Sequence, residues 1–160
     1  MHLKTTAKVV HNIKGAAYTM ATISAAQDSS IDMLMYYSTI PHMWNGAFDI
    51  FTMEVQKGYY PLYWYGMFYD MVAEIKAENA IDDIYTLCGV NADGKVLSVL
   101  TYYTNEEESA KNKQITIDFG RPGKYEIYLL DETRTNELVD TTEKLTFDLA
   151  PNSCILIKEI

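Results

Sequence analysis

Carboxylates are plentiful in this chain, yet no two are placed persuasively for acid–base work; Asp49 sits in an aromatic loop with Glu54 just beyond it. A glycosidase needs two carboxyl groups across a sugar, about 5 Å apart for retention of configuration and further apart for inversion. Spacing alone leaves Asp49 with Glu54 open as such a pair. The favoured reading is that Asp49 caps or orders its own loop. Asp32 sits in an apolar run and has no partner in sequence. The other usual constellations are missing. His2, His11 and His42 lack the i, i+4 pairing of a metal-binding helix, so no metal is expected. No Ser lies in a Gly-x-Ser-x-Gly turn. The GRPG stretch at Gly120 to Gly123 lacks both the spacing and the following helix of a phosphate loop, so no cofactor is expected.

Rings are more concentrated than charges. The stretch YYSTIPHMWNGAFDIFTMEVQKGYY, Tyr36 to Tyr60, packs aromatic side chains around turn formers, whereas a core spaces its large residues periodically. Tyr joins a flat apolar face to a hydroxyl, so clustered Tyr suits ligands that are partly flat and partly polar, such as sugars. The chain has 13 Tyr, most of which are expected to fill a β core.

The net charge of −9 argues against nucleic acid, whose phosphates demand clustered Lys and Arg. No basic run suits a membrane surface, and no apolar run is long enough for a signal peptide or a bilayer span, so the chain as given is expected in the cytoplasm. Glu106 to Glu108 read as a solvated loop. Cys88 and Cys154 lie in apolar strand patterns and are expected to be buried free thiols, a disulfide between neighbouring strands being the alternative.

These residues must be positioned by elements of two kinds. Residues 4 to 27 read as a helix, with Val9, Ile13, Ala16, Met20 and Ser24 on one face and Gly15, Ala16, Ala17 and Ala21 permitting close approach. Ile31 to Tyr37, IDMLMYY, reads as a strand covered on both faces. After the loop with Pro41 and Gly46, a second helix is expected from Pro61 to about Ala77. Beyond Asn79 the pattern is all β: IYTLCGV and KVLSVLTYY flank the Asp93-Gly94 turn, and QITIDF, KYEIYLLD, KLTFDL and CILIKEI follow. About six strands at this spacing suggest an antiparallel sandwich. The expected architecture is therefore α+β, with a helix-strand-helix unit over 1–79 and a sandwich over 80–160.

IKGAAYTMATISAAQDSSIDMLMYYSTIPHMWNGAFD, followed by KGYYPLYWYGMFYDM, resembles the end of the catalytic barrel of clan A glycoside hydrolases, in particular the β-xylosidase-like family 39. DGKVLSVLTYYTN and LAPNSCILIKEI resemble the β-sandwich that follows that barrel. The resemblance implies that Met35 to Tyr37 end the eighth barrel strand, on the face where barrel enzymes build their sites. It makes Tyr37, Trp44, Asn45, Phe48 and Asp49 a sugar-binding wall, with Trp44 as stacking platform and Asn45 and Asp49 as hydroxyl partners. The alternative is that Trp44 and Phe48 pack the loop onto the final helix, and Tyr59 and Tyr60 are expected to pack. Nothing in the chain resembles the family's acid/base or nucleophile glutamate segments, so no catalytic residue is assigned. The expected function is the C-terminal portion of a glycoside hydrolase, inactive alone, with carbohydrate as partner. Association with a barrel segment or another copy would run through the helical region. The alternative is a non-catalytic carbohydrate-binding or structural β-sandwich.

Overall fold

In the computed structural model of the chain, which describes residues 11–36, 47–78 and 81–160, Asn12 starts the first long element. Its backbone is extended, and its side-chain oxygen accepts a hydrogen bond from the Lys14 amide at 2.9 Å. That cap satisfies one of the orphan donors of a helix start, so α1 spans Ile13–Gln27. The expected helix over 4–27 therefore does not run unbroken: Asn12 interrupts it, and residues 4–10 lie outside the described residues. Ile13, Ala16, Met20 and Ser24 are buried on one face, as the spacing predicts, together with Ala17, Ala21 and Ile23. Ala16 and Ala17 bring the α1 backbone close to its neighbours.

Residues 31–36 differ from expectation. They form no strand, and Ile31, Met33, Leu34 and Met35 are exposed, Met35 by 81%. A strand needs a ladder partner for its N–H and C=O groups, and none pairs with this segment among the described residues. The apolar run predicts burial only if another element supplies that partner.

The second helix is also shorter than its pattern. A 3₁₀ turn at Lys57–Tyr59 leads into α2, Tyr60–Gly66, and a second 3₁₀ turn at Met67–Asp70 ends it. The chain then becomes β1, Met71–Glu74, which pairs antiparallel with β2, Ile84–Asn91. Gly89 makes this pairing feasible, because a Cβ there would meet the Met71 side chain at 2.8 Å. An open sheet edge with backbone partners thus wins over the helical periodicity of residues 71–77.

The remaining strands are β3 (Val96–Tyr102), β4 (Lys113–Thr116), β5 (Tyr125–Leu130), β6 (Thr135–Thr142), β7 (Thr146–Leu149) and β8 (Ser153–Glu159). Six of the eight strands form one antiparallel sheet in the order β1-β2-β3-β8-β5-β6, and β4 with β7 form a two-stranded ribbon. Strand β6 escapes the sequence reading because it is an edge with most of its residues exposed, so no apolar alternation marks it. The β2–β3 turn forms at Asp93-Gly94, where Gly94 has φ +77° and Asn91 Oδ1 accepts from the Asp93 and Lys95 amides.

Both faces of the sheet are covered, giving an α+β structure in which helices pack on an antiparallel sandwich. On one side, Met20 and Trp64 pack with Leu87, Leu97, Val99, Leu130 and Leu156. On the other, Leu100, Tyr102, Tyr125, Ile127, Ile155 and Ile157 pack with Ile115 of β4 and Leu149 of β7. Central strand β3 is buried at every position. Residues from both sides of the expected 79/80 boundary meet in the first core, and β1 comes from its N-terminal side. Cys88 and Cys154 are free and buried; burial pushes their thiols up to about 11 and about 12. No described helix is long and apolar enough to cross a membrane.

Met20 is fully buried between α1 and the sheet. Met20→Ala is expected to lower unfolding stability by about 2–5 kcal/mol. Urea unfolding followed by far-UV circular dichroism and by tryptophan fluorescence should then shift together, since helix and sheet share one core.

Candidate functional site

The expected sugar wall is only partly described. Tyr37, Trp44 and Asn45 lie outside the described residues; Phe48 and Asp49 lie within them. Phe48 forms an isolated antiparallel bridge with Val55, and the loop closes through Asp49 N–H to Glu54 O at 2.8 Å and Gln56 N–H to Ala47 O at 3.0 Å. At its tip, Asp49 Oδ1 accepts from the Phe51 and Thr52 amides, both at 2.8 Å. These two backbone donors, Thr52 first, hold the exposed Asp49 carboxyl below its usual range, since they favour the charged form. Met53 completes the turn at φ 60°.

Asp49 therefore orders the loop through Oδ1. Glu54 Oε2 accepts from the Thr52 hydroxyl at 3.1 Å. One carboxylate builds the turn and the other braces its threonine. An acid/base pair needs a protonated partner kept apart from an ionised one, and at Asp49 the backbone hydrogen bonds outweigh the desolvation that would raise its pKa, so the net shift is downward.

Beside the loop stands a row of rings. Phe48 meets Tyr59 at a centroid distance of 5.5 Å, and Tyr59 stacks on Tyr63 at 5.9 Å with 17° between planes. Tyr60 sits edge-on to both tyrosines and packs against the helix-side core. Offset and edge contacts at these distances suit the aromatic quadrupole and hold each ring in place. Tyr63, at the far end, is 42% exposed.

Two side chains of the same segment fasten the row to the sandwich, and the sequence reading missed both. Lys57 reaches across to the β5–β6 turn, donating to Asp131 O at 2.6 Å, Arg134 O at 2.9 Å and Thr135 Oγ1 at 3.0 Å. Burial lowers its pKa, and the nearby carboxylates of Asp131, Glu132 and Glu137 oppose that shift. Trp64 is fully buried and donates from Nε1 to Asn136 Oδ1 at 2.8 Å. Asn136 adopts φ 54°, a left-handed conformation that Asn tolerates. The signal available in sequence was a lone cation inside an aromatic run. Its partners lie more than 70 residues away, beyond the reach of local spacing.

The turn that receives Lys57 is itself held by Asp131. Its Oδ1 accepts from the Thr133 and Arg134 amides at 2.9 and 2.7 Å, and its Oδ2 pairs with the Arg134 guanidinium at 2.6 Å. Burial raises the Asp131 pKa, but these hydrogen bonds outweigh burial and the net shift is downward. A depressed carboxylate pKa contributes stability that is complete above the unfolded value of about 3.9 and is lost as pH falls through the lower folded value. Asp131→Asn should therefore be less stable than the parent at pH 7, by about 1–3 kcal/mol. The gap should narrow below about pH 4, as urea midpoints at the two pH values would show.

No protein-family model matches this chain, and no curated protein sequence does. Solved structures do. Over 93% of its length the chain is similar to 39% of a GH30 endoxylanase from Clostridium papyrosolvens C71, with a TM-score of 0.66 and 12% identity. Over 66% of its length it is similar to 22% of a conserved exported protein from Bacteroides fragilis, with a TM-score of 0.51 and 14% identity. The chain thus spans well under half the length of either structure. At these identities the match is one of fold: helices packed on an antiparallel sandwich, in the arrangement found in part of the endoxylanase.

Proposed function

We propose that this chain is the C-terminal portion of a clan A glycoside hydrolase, contributing one wall of a sugar subsite and a sandwich that braces the barrel. The observation that carries the reading is the similarity of 93% of the chain to part of a GH30 endoxylanase. The W-N-G-x-F-D-like and K-G-Y-Y stretches support the finer assignment to a family 39-like protein. In this reading residues 1–79 end the barrel and residues 80–160 form the sandwich. Trp44, Phe48 and Tyr37 present rings to a sugar, and Asn45 and Asp49 meet its hydroxyls. The acid/base and nucleophile glutamates match no segment of this sequence, so the chain by itself hydrolyses no glycoside.

Residues 31–36 support the incomplete-barrel reading. Ile31, Met33, Leu34 and Met35 are exposed beside a groove of about 460 Å³ that Tyr18, Leu62 and Tyr65 also line. An apolar run of strand length without a ladder partner among the described residues fits a segment that pairs with a neighbouring barrel strand. A second reading, a non-catalytic carbohydrate-binding or structural sandwich, is favoured by the closed core between the large sheet and the β4–β7 ribbon. That core needs no barrel to complete it.

The purified chain is expected to release no chromophore from aryl-xyloside or aryl-galactoside substrates; measurable hydrolysis overturns the assignment of inactivity. Saturable tryptophan quenching by an oligosaccharide, lost in Trp44→Ala, supports the sugar wall, whereas a flat titration leaves only the bracing role. Light scattering is expected to detect self-association at high concentration through residues 31–36. A clean monomer there counts against association through this segment.

A further inference from the structure

A groove of about 620 Å³ lies beside α2 on the helix-bearing face of the large sheet, with no α1 residue in its wall. Leu97 of β3 and Leu156 of β8, both buried, lie beneath it, and Tyr63, Met67, Met71 and Tyr128 line its sides. At its rim the side chains of Asp70 and Lys95 make no hydrogen bond or ion pair among the described residues. Asn136 also lines it; its Oδ1 is committed to the Trp64 indole, which leaves the Nδ2 donors available.

These features constrain the occupant. The strands under the groove pair on both sides, β3 with β2 and β8, β8 with β3 and β5, so no peptide can add to them as a further strand. Asp70, Lys95 and an amide, together with Lys158 and Glu159, which already pair with Glu126 and Arg121, offer donors and acceptors without a dominant sign, in a chain of net charge −9, which disfavours a polyanion. A ligand that is apolar on one face, rich in hydroxyls along its edges and uncharged satisfies all of this. Tyr63 is already held, stacked on Tyr59 and edge-on to Tyr60, so its exposed ring can receive such a ligand with little loss of freedom.

We propose that this groove is a binding site for a neutral oligosaccharide, with a pyranose ring on Tyr63, its hydroxyls on Asp70, Lys95 and Asn136, and Leu97 with Leu156 beneath. The site goes beyond the loop wall of the proposed hydrolase and uses none of its residues. Through Tyr59 its stacking ring is nevertheless in contact with Phe48, so the two are linked by one aromatic row.

The test is a titration of the full ¹⁵N-labelled chain with xylohexaose, cellohexaose and mannohexaose, read at the Trp64 indole N–H and the Asn136 side-chain amide. At least one sugar should shift both signals saturably. Tyr63→Ala should weaken that binding about tenfold, and Trp44→Ala should leave it unchanged. Lys95 and Asp70 are exposed, so Lys95→Ala and Asp70→Asn keep the fold and should each weaken binding even where Tyr63→Ala does not fold. Absence of shifts with all three sugars overturns the proposal. So do shifts that Trp44→Ala abolishes while Tyr63→Ala, Lys95→Ala and Asp70→Asn leave them intact, because that result places the ligand on the loop instead.

Discussion

The indole of Trp64 sets the terms for the rest of this structure. A fully buried ring of that size supplies a large apolar contribution, but its N–H must find an acceptor or its burial costs about 1–3 kcal/mol. Asn136 provides that acceptor from the start of edge strand β6, in a left-handed backbone conformation. The indole therefore ties α2 to a strand whose side chains contribute little burial of their own. Seven residues earlier Lys57 completes the clamp by donating to the turn that begins β6. Between these two fastenings stand Tyr59, Tyr60 and Tyr63, so the aromatic row is positioned by the sandwich as much as by its own helix.

The large sheet can serve as that platform because its central strands are buried on both faces. In β3, Leu97 and Val99 face the helices, and Leu100 and Tyr102 face the β4–β7 ribbon. In β8, Leu156 faces the helices, and Ile155 and Ile157 face the ribbon. A sheet so enclosed changes little when a loop on one side moves. Binding residues carried on short irregular elements gain precision from such support.

The well-ordered part of the sandwich was legible in advance where one face is apolar and the other is not. Ile115 in QITIDF and Leu145 with Leu149 in KLTFDL alternate inward as their period of two predicts, and Asp93-Gly94 turns where its tolerance of positive φ allows. Strands β1 and β6 were not legible. Each is an edge whose residues are mostly exposed, and each exists because a neighbour offers backbone partners. At the candidate site, Asp49 as a loop organiser was readable from its surroundings. The clamp by Lys57 and Trp64 was not, since both partners come from a hairpin distant in sequence.

Sequence alone determined the class of structure, the inward-facing residues of α1 and of the enclosed strands, the burial of both cysteines and the clustering of rings between Tyr36 and Tyr60. Hydrophobic period and turn chemistry are local properties, so local residues suffice to reveal them. Only the tertiary structure decided that residues 71–74 form a strand rather than a helical turn, that residues 31–35 are exposed and pair with no strand among the described residues, and that Tyr63 becomes the open end of a stacked row. Those outcomes depend on which backbone groups and which surfaces come within reach after folding. A ladder partner, or a buried acceptor for an indole N–H, belongs to the assembled molecule and to no segment of it.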